Sequence, residues 1–172
     1  NIIETSGTTK GLVAYYDFTG GSLQDAWGSF DASNHGAEPA EDINGNPGDA
    51  MYLEPNAYIS TLNSPVSNGD KTITFRFKSQ ENDRRQILIA NSLDSKSSDD
   101  GFLIAKKENN TLEFFIGNGS ENGHFLSAST TFKIEDNNWH TLSLVLKGTN
   151  LKGYVDNSLK TEASTTNGAE SE

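Results

Sequence analysis

The clearest pattern in the sequence is an alternation of apolar and polar residues with a period of two. Every second residue is apolar in residues 73–77, 112–116 and 142–146. Successive side chains of a β-strand point to opposite faces, so each segment predicts a strand with one face toward a core. The same reasoning predicts further strands at residues 12–18, 50–54, 57–61, 86–90, 101–106, 125–129 and 151–155.

Clusters of Gly, Asn, Asp and Ser separate these segments, as at residues 109–110 and 147–150. These residue types tolerate the backbone conformations of hairpin turns. No stretch of ten residues carries a helical stripe, and turns recurring at this spacing are typical of a sandwich or barrel. Residues 20–49 are the least regular part, and a loop of that length in a compact domain indicates a functional or metal-ordered segment.

Composition narrows the classes of function. The 172 residues fit one domain, which we predict at residues 1–163 and followed by a polar tail or linker at 164–172. Lys and Arg number 13 against 24 Asp and Glu, a net charge of −11, which disfavours nucleic acid and anionic membranes as partners. The absence of cysteine excludes thiol catalysis and thiolate metal sites. The first residue is Asn1 rather than Met, which favours processing or excision from a longer protein.

Two blocks of sequence resemble a known family. The first is Gly11-Leu-Val-Ala-Tyr-Tyr-Asp-Phe-Thr-Gly20, followed by Asp25 and by Ser33-Asn-His-Gly36. The second begins with Trp139-His140 and ends with Gly153-Tyr-Val-Asp156-Asn157. Together they are similar to the laminin-G-like, concanavalin A-like lectin/glucanase family. The resemblance implies an all-β, antiparallel jelly-roll β-sandwich. The family's closing strands have no counterpart after Lys160, so we expect the domain to lack or borrow its last strands.

Because the family that the sequence resembles includes glucanases, the spacing of acidic residues can be compared with their catalytic motif. Related glucanases carry closely spaced carboxylates, in an E-x-D-x-x-E arrangement on one strand, as nucleophile and acid. No such run occurs here, and the histidines at 35, 124 and 140 lack the spacing of a metal site or a catalytic triad. His140 most resembles the structural histidine that follows the family tryptophan. We therefore expect that the protein is not an enzyme.

Calcium is a candidate cofactor, because hard cations prefer oxygen ligands and many family members hold calcium against the irregular loop. Asp25 matches the loop aspartate of the family, and Asp17 and Asp31 lie nearby in the sequence. These three aspartates are the predicted metal ligands. The alternative is a loop held by hydrogen bonds of Asx turns alone.

Candidate carbohydrate contacts lie in and near the same loop. Flat aromatic rings meet the C–H groups of sugars, while amides and guanidinium groups hold hydroxyls. The predicted contacts are Trp27, Phe30, Asn34 and Arg84. Trp27 and Phe30 replace small residues of the family loop, and the alternative is that they fold down as a plug. Arg84 could pair with an anionic glycan group or be an ordinary surface charge. Tyr58 and Phe115 could also face outward, and the alternative for Phe115 is a sandwich strand that lies between layers.

The function that these features favour is non-catalytic, lectin-like recognition of a cell-surface or wall polysaccharide. The module would belong to a larger extracellular or phage adhesion protein, on a bacterial surface or in a phage baseplate, with other domains or subunits as partners. One alternative is a protein–protein interaction module of laminin-G type. A glycosidase is a second alternative. The resemblance to a fold carries much of this prediction, and fold alone does not determine function.

Overall fold

The computed structural model describes residues 10–66, 69–80, 83–91, 100–118 and 126–164. Two compact units divide the chain, Asn1–Val66 and Ser67–Glu172. The described ranges contain twelve β-strands, one 3-10 turn at Thr19–Gly21 and no α-helix. The prediction of an all-β fold is therefore confirmed. The predicted boundary between a domain and a tail stays a prediction, and residues 165–172 lie outside the described residues.

The first unit contains two antiparallel two-stranded ribbons. One ribbon pairs β1 with β4, and the other pairs β2 with β3. Strands β1 and β2 lie inside the segment predicted to be irregular, where short exposed strands gave no apolar alternation to detect. The four strands are β1 (Ala32–His35), β2 (Glu38–Ala40), β3 (Ala50–Tyr52) and β4 (Tyr58–Thr61).

The second unit contains eight strands in two four-stranded antiparallel sheets. They are β5 (Lys71–Gln80), β6 (Gln86–Ala90), β7 (Asp100–Lys106), β8 (Thr111–Asn118), β9 (Leu126–Lys133), β10 (Asp136–Lys147), β11 (Asn150–Val155) and β12 (Ser158–Ser164). The first sheet has the order β12-β11-β10-β5 and the second β6-β7-β8-β9. Strands β11 and β12 contact β9 of the other sheet, so the two sheets pack as a β-sandwich.

The core of the second unit lies between its two sheets, as the alternation predicted. Leu142 and Leu144 on β10 and Phe114 on β8 are fully buried. Gly153 on β11 lies directly against the Phe114 ring: a Cβ at Gly153 would come within 2.6–2.9 Å of three ring carbons. A glycine here lets the two sheets approach around one large ring.

The surroundings of two phenylalanines differ from the simplest expectation. Phe115 is only 1% exposed, because β8 is buried on both faces and Phe115 packs with Leu103 and Ala105. A strand covered on both faces carries consecutive apolar residues, so the period of two no longer identifies an outer face. Phe75, predicted to be buried, is only half-buried although it lies on the apolar face of β5.

The strand predicted at residues 12–18 is also absent. Half-buried and exposed residues alternate along this segment as in a strand, but no ladder of strand hydrogen bonds forms there. The backbone of Tyr15 bonds to a loop instead: its N–H donates to the Asp25 carboxylate and its carbonyl accepts from the Ala26 N–H. The alternation of residue types therefore predicted correctly that one side of this segment is more buried. It did not show that the backbone would bond to a loop rather than to a strand.

Candidate functional site

A buried carboxylate organises the loop of residues 25–30, called here the Asp25 loop. Asp25 is only 8% exposed. Its two oxygens accept four backbone N–H groups at 2.9–3.2 Å, those of Tyr15, Trp27, Gly28 and Phe30. The Asp25 N–H in turn donates to Asp31 Oδ1 at 2.9 Å. These bonds fix the backbone on both sides of the Trp27 side chain.

The ionisation of Asp25 reflects the same contacts. Burial alone would raise the pKa of its carboxyl, because it disfavours the charged form. The four backbone N–H groups outweigh burial and lower the pKa of Asp25 to about 2. The carboxylate is thus ionised near neutral pH and serves as the anionic acceptor of the loop.

Gly28 makes the tight form of the loop possible. A Cβ at this position would collide with the Val13 carbonyl oxygen and lie 2.7 Å from Asp25 Oδ2. Only a residue without a side chain lets the backbone approach the carboxylate this closely. The sequence Asp25-Ala-Trp-Gly28 therefore combines an acceptor, an exposed ring and the glycine that the close approach requires.

The predicted calcium ligands are arranged for hydrogen bonds rather than for a cation. Asp17 Oδ1 accepts the Thr19 N–H, Asp31 accepts the Asp25 N–H, and both Asp25 oxygens accept backbone N–H groups. Within the described residues, no group of three or more His, Asp or Glu side chains could hold a metal ion. The geometry favours the alternative of a loop held by its own hydrogen bonds. Calcium binding stays a prediction.

The two aromatic residues of the loop have different surroundings. The Trp27 side chain is 43% exposed, and only its backbone is tied to Asp25 in the bond described above. Phe30 is half-buried, and its carbonyl accepts a hydrogen bond from the Tyr16 hydroxyl. Trp27 therefore projects a large ring from a fixed backbone, whereas Phe30 contributes part of its ring to the packing beneath.

The two polar candidates belong to different units of the chain. Asn34 belongs to the first unit, and its amide spans the turn after β1: Oδ1 accepts the Ala37 N–H at 2.7 Å and Nδ2 donates to the Ala37 carbonyl at 2.9 Å. Arg84 is an exposed residue of the second unit, just before β6. The first unit therefore brings Trp27, Phe30 and Asn34 into one compact body, and Arg84 does not belong to it.

A second polar centre lies in the sandwich, where His140 is buried between two carboxylates. Its Nδ1 lies 2.8 Å from Asp156 Oδ2, and its Nε2 lies 3.0 Å from Asp136 Oδ1. Burial would lower the pKa of His140, but the bonds to Asp156 and Asp136 outweigh it and raise the pKa above the ordinary value. Both ring nitrogens lie within hydrogen-bond distance of a carboxylate, so the ring joins the start of β10 to the turn after β11.

This histidine gives the sandwich a pH-dependent stability. A raised pKa in the folded state stabilises fully below the ordinary histidine value of 6.5, and that stabilisation is lost as pH rises through the folded-state pKa. We expect the melting temperature of the wild type to fall relative to that of His140→Gln as pH rises above 6.5. Thermal unfolding followed by circular dichroism measures both. If the melting temperatures of the two proteins changed with pH in parallel, the stabilising role of His140 would be contradicted.

Comparison with known families now adds one decisive observation. The sequence model of the concanavalin A-like lectin/glucanases superfamily matches residues 53–172, more than half of the chain. The chain belongs to this superfamily. The matched residues contain the Trp139–Asn157 block of the sequence resemblance, and the Gly11–Gly36 block precedes them. No curated protein sequence matches the chain.

Members of the concanavalin A-like superfamily include both binding modules and enzymes, so the residues of this chain must distinguish them. Sequence reasoning missed the partnership of His140 with Asp136 and Asp156, which are 4 and 16 residues away. It also treated His35 as a loop residue, although the His35 ring stacks on Tyr58 across the β1–β4 ribbon. Residues 57–61 were predicted as a strand, but the short polar strand β1 gave no apolar alternation from which this pairing could be predicted.

Proposed function

We propose that this domain is a non-catalytic carbohydrate-recognition module. The observation that carries the proposal is the exposed Trp27 ring on a loop whose backbone is fixed by a buried carboxylate. An exposed indole offers a flat apolar face to the C–H groups of a sugar ring. Because the loop is already ordered, little conformational entropy is lost when a ligand binds.

The ring is also difficult to explain as packing alone. A tryptophan that plugged its loop would be buried, whereas more than two fifths of this side chain is accessible. Tyr15, whose N–H shares the Asp25 carboxylate, is exposed to a similar extent. A loop that keeps aromatic surface accessible is typical of a binding site rather than of a core.

Two features support a non-catalytic role. The sequence contains no E-x-D-x-x-E run, and both ring nitrogens of His140 are already bonded to carboxylates. The described ranges contain no helix with the length and apolar character that crossing a bilayer requires. The module would act on a cell surface or a virion, as one part of a larger adhesion protein of a bacterium or phage, and bind a wall or surface polysaccharide.

A protein-interaction module of laminin-G type is the second candidate. It is favoured by aliphatic side chains that cannot stack on sugars, because Leu62 is 96% exposed and Leu53 is 48% exposed. Aliphatic surface of this kind is more typical of a protein interface. The glycan measurements below separate the two candidates, since a pure protein-binding module would bind no polysaccharide.

The Trp27 ring is tested by Trp27→Ala. Aromatic stacking contributes about 1–3 kcal/mol per ring in other complexes, and about 1.4 kcal/mol is a factor of ten in affinity. We expect affinity for a bound polysaccharide to fall at least about tenfold, measured by isothermal titration or affinity electrophoresis. The melting temperature should change little, because alanine retains the backbone N–H that bonds to Asp25.

Trp27→Phe is the matched control, since it keeps a flat ring and should keep most of the affinity. Equal affinity for Trp27→Ala and the wild type would contradict the role of the ring. A large loss of stability in Trp27→Ala would show instead that the ring supports the loop.

A further inference from the structure

A second aromatic surface lies on the β1–β4 ribbon of the first unit. His35 and Tyr58 face each other across the two strands, with ring centroids 4.2 Å apart and ring planes inclined by only 13°. Both side chains are exposed, Tyr58 by 54%. Two stacked rings held by paired strands are preorganised, and the outer face of the Tyr58 ring is the face that a ligand could meet.

Hydroxyl groups flank these rings on the same side of the ribbon. Side chains alternate along a strand, so Ser33 shares a face with His35, and Ser60 shares a face with Tyr58. Ser33 and Ser60 are themselves opposite each other in the register, and His35 Nε2 lies 3.1 Å from Ser60 Oγ. We call these four residues, Ser33, His35, Tyr58 and Ser60, the His35–Tyr58 platform.

The other face of the ribbon serves the fold. It carries Ala32, Ile59 and Thr61, which are all partly buried, and Asn34, whose amide bonds to the Ala37 backbone. Partly buried side chains and the closure of the turn thus occupy one face, and Ser33, His35 and Tyr58 are exposed on the other. His35 and Tyr58 lie on the opposite face and do not contribute to the burial of these residues.

We propose that the His35–Tyr58 platform is a saccharide-binding subsite in addition to the Trp27 ring, an inference that rests on the proposed carbohydrate function. Tyr58 supplies the stacking face, and the hydroxyls of Ser33 and Ser60 supply hydrogen-bond donors and acceptors at its edge. His35 is a positioning residue: its ring supports Tyr58 from beneath and is itself held by Ser60.

The charge of the first unit restricts the saccharide class. Residues 1–66 contain nine Asp and Glu, at positions 4, 17, 25, 31, 38, 41, 42, 49 and 54, against one Lys, Lys10, and no Arg. A unit with this excess of negative charge repels carboxylated or sulfated sugars. The ligand of the platform is therefore a neutral or amine-bearing saccharide, and polyuronates are disfavoured.

The experiment uses the whole chain and a panel of soluble probes: xylan, α-mannan, mixed-linkage β-glucan, oligomers of N-acetylglucosamine, and polygalacturonate beside its fully methyl-esterified form. Dissociation constants are measured for the wild type, Tyr58→Ala, Tyr58→Leu, Tyr58→Phe and His35→Ala. Tyr52→Ala is the matched control, because Tyr52 is an equally exposed tyrosine, at 52%, on β3 rather than on the platform.

We expect Tyr58→Ala and Tyr58→Leu to weaken binding of the tightest neutral probe at least tenfold. Tyr58→Phe should stay within about threefold of the wild type, Tyr52→Ala should be unchanged, and His35→Ala should lie between them. The esterified polygalacturonate should bind better than the acidic form. Melting temperatures of all variants confirm that the loss is not unfolding, and Tyr58→Leu keeps apolar bulk if Tyr58→Ala is unstable.

The failures are distinguishable. If the wild type binds none of the probes, the proposed carbohydrate function and the platform are both overturned. If the wild type binds and Trp27→Ala weakens binding while Tyr58→Leu binds normally, the platform alone is overturned. Tighter binding of polygalacturonate than of its ester would overturn the charge selectivity.

Discussion

Replacing Phe114 by alanine is expected to lower the free energy of unfolding of the sandwich by about 3–5 kcal/mol. Phe114 is fully buried on β8, and its ring lies against Gly153 on β11 of the opposite sheet. Truncation removes the burial of a large apolar group and leaves a cavity that two hydrogen-bonded sheets cannot easily close. Urea unfolding followed by fluorescence or circular dichroism measures the change.

Two further variants sharpen this result. Gly153→Ala approaches the same contact from the other sheet, and its Cβ would overlap the Phe114 ring, so we expect a loss of about 1–3 kcal/mol. Phe75→Ala is the milder comparison, because Phe75 is only half-buried. A larger loss of stability for Phe75→Ala than for Phe114→Ala would contradict the placement of the core around Phe114.

Asp25→Ala should cost about 3 kcal/mol or more, the second of the large effects. The substitution leaves four backbone N–H groups without the acceptor that now holds them, and an unpaired buried donor costs about 1–3 kcal/mol. Water can reach part of this loop, so the total is less than four full penalties. Asp25→Asn keeps an oxygen acceptor but loses the charge, and its loss should be smaller.

The same carboxylate predicts a dependence on acidity with a defined sign. Its pKa falls from the ordinary 3.8 to about 2 on folding, so its contribution is complete above pH 4–5 and is lost as pH falls toward 2. The melting temperature of the wild type should therefore decrease faster than that of Asp25→Asn over this range. Identical acid profiles would show that Asp25 does not hold the loop.

Calcium is tested in the same measurements. A cation that binds the folded state raises the melting temperature by mass action. Added millimolar calcium should do so, and a chelator should reverse it, if Asp17, Asp25 and Asp31 rearrange into a site. An unchanged melting curve would leave the hydrogen-bonded loop as the complete account of these three aspartates.

Sequence pattern located the strands of the sandwich well because its signal is physical. Leu142, Leu144 and Leu146 alternate in the sequence and are all buried in the structure. The pattern failed at two places, where the alternation of apolar and polar residues did not correspond to a strand with one buried face. Phe115 lies on a strand buried on both faces, and residues 12–18 alternate without a strand partner because the Tyr15 backbone bonds to the Asp25 loop.

Some features of the candidate site could be predicted from the sequence and others could not. An exposed ring at Trp27 could be predicted, since a tryptophan in a polar loop has little to pack against. The role of Asp25 could not, because a carboxylate that binds calcium and one that binds backbone N–H groups look alike in sequence. The His35–Tyr58 stack depends on strand register, which the sequence of two short polar strands does not determine.

In the Asp25 loop, the residues that hold the backbone differ from the residues whose side chains are exposed. Its backbone depends on the carboxylate of Asp25 and the missing side chain of Gly28, whereas the side chains of Ala26, Trp27 and Ser29 all point into solvent. Ligand preference can therefore diverge among descendants of this gene through three neighbouring codons without endangering the scaffold. Randomising positions 26, 27 and 29 while retaining Asp25 and Gly28 would make the loop a compact library for selecting new binders, in the manner of an antibody hypervariable loop.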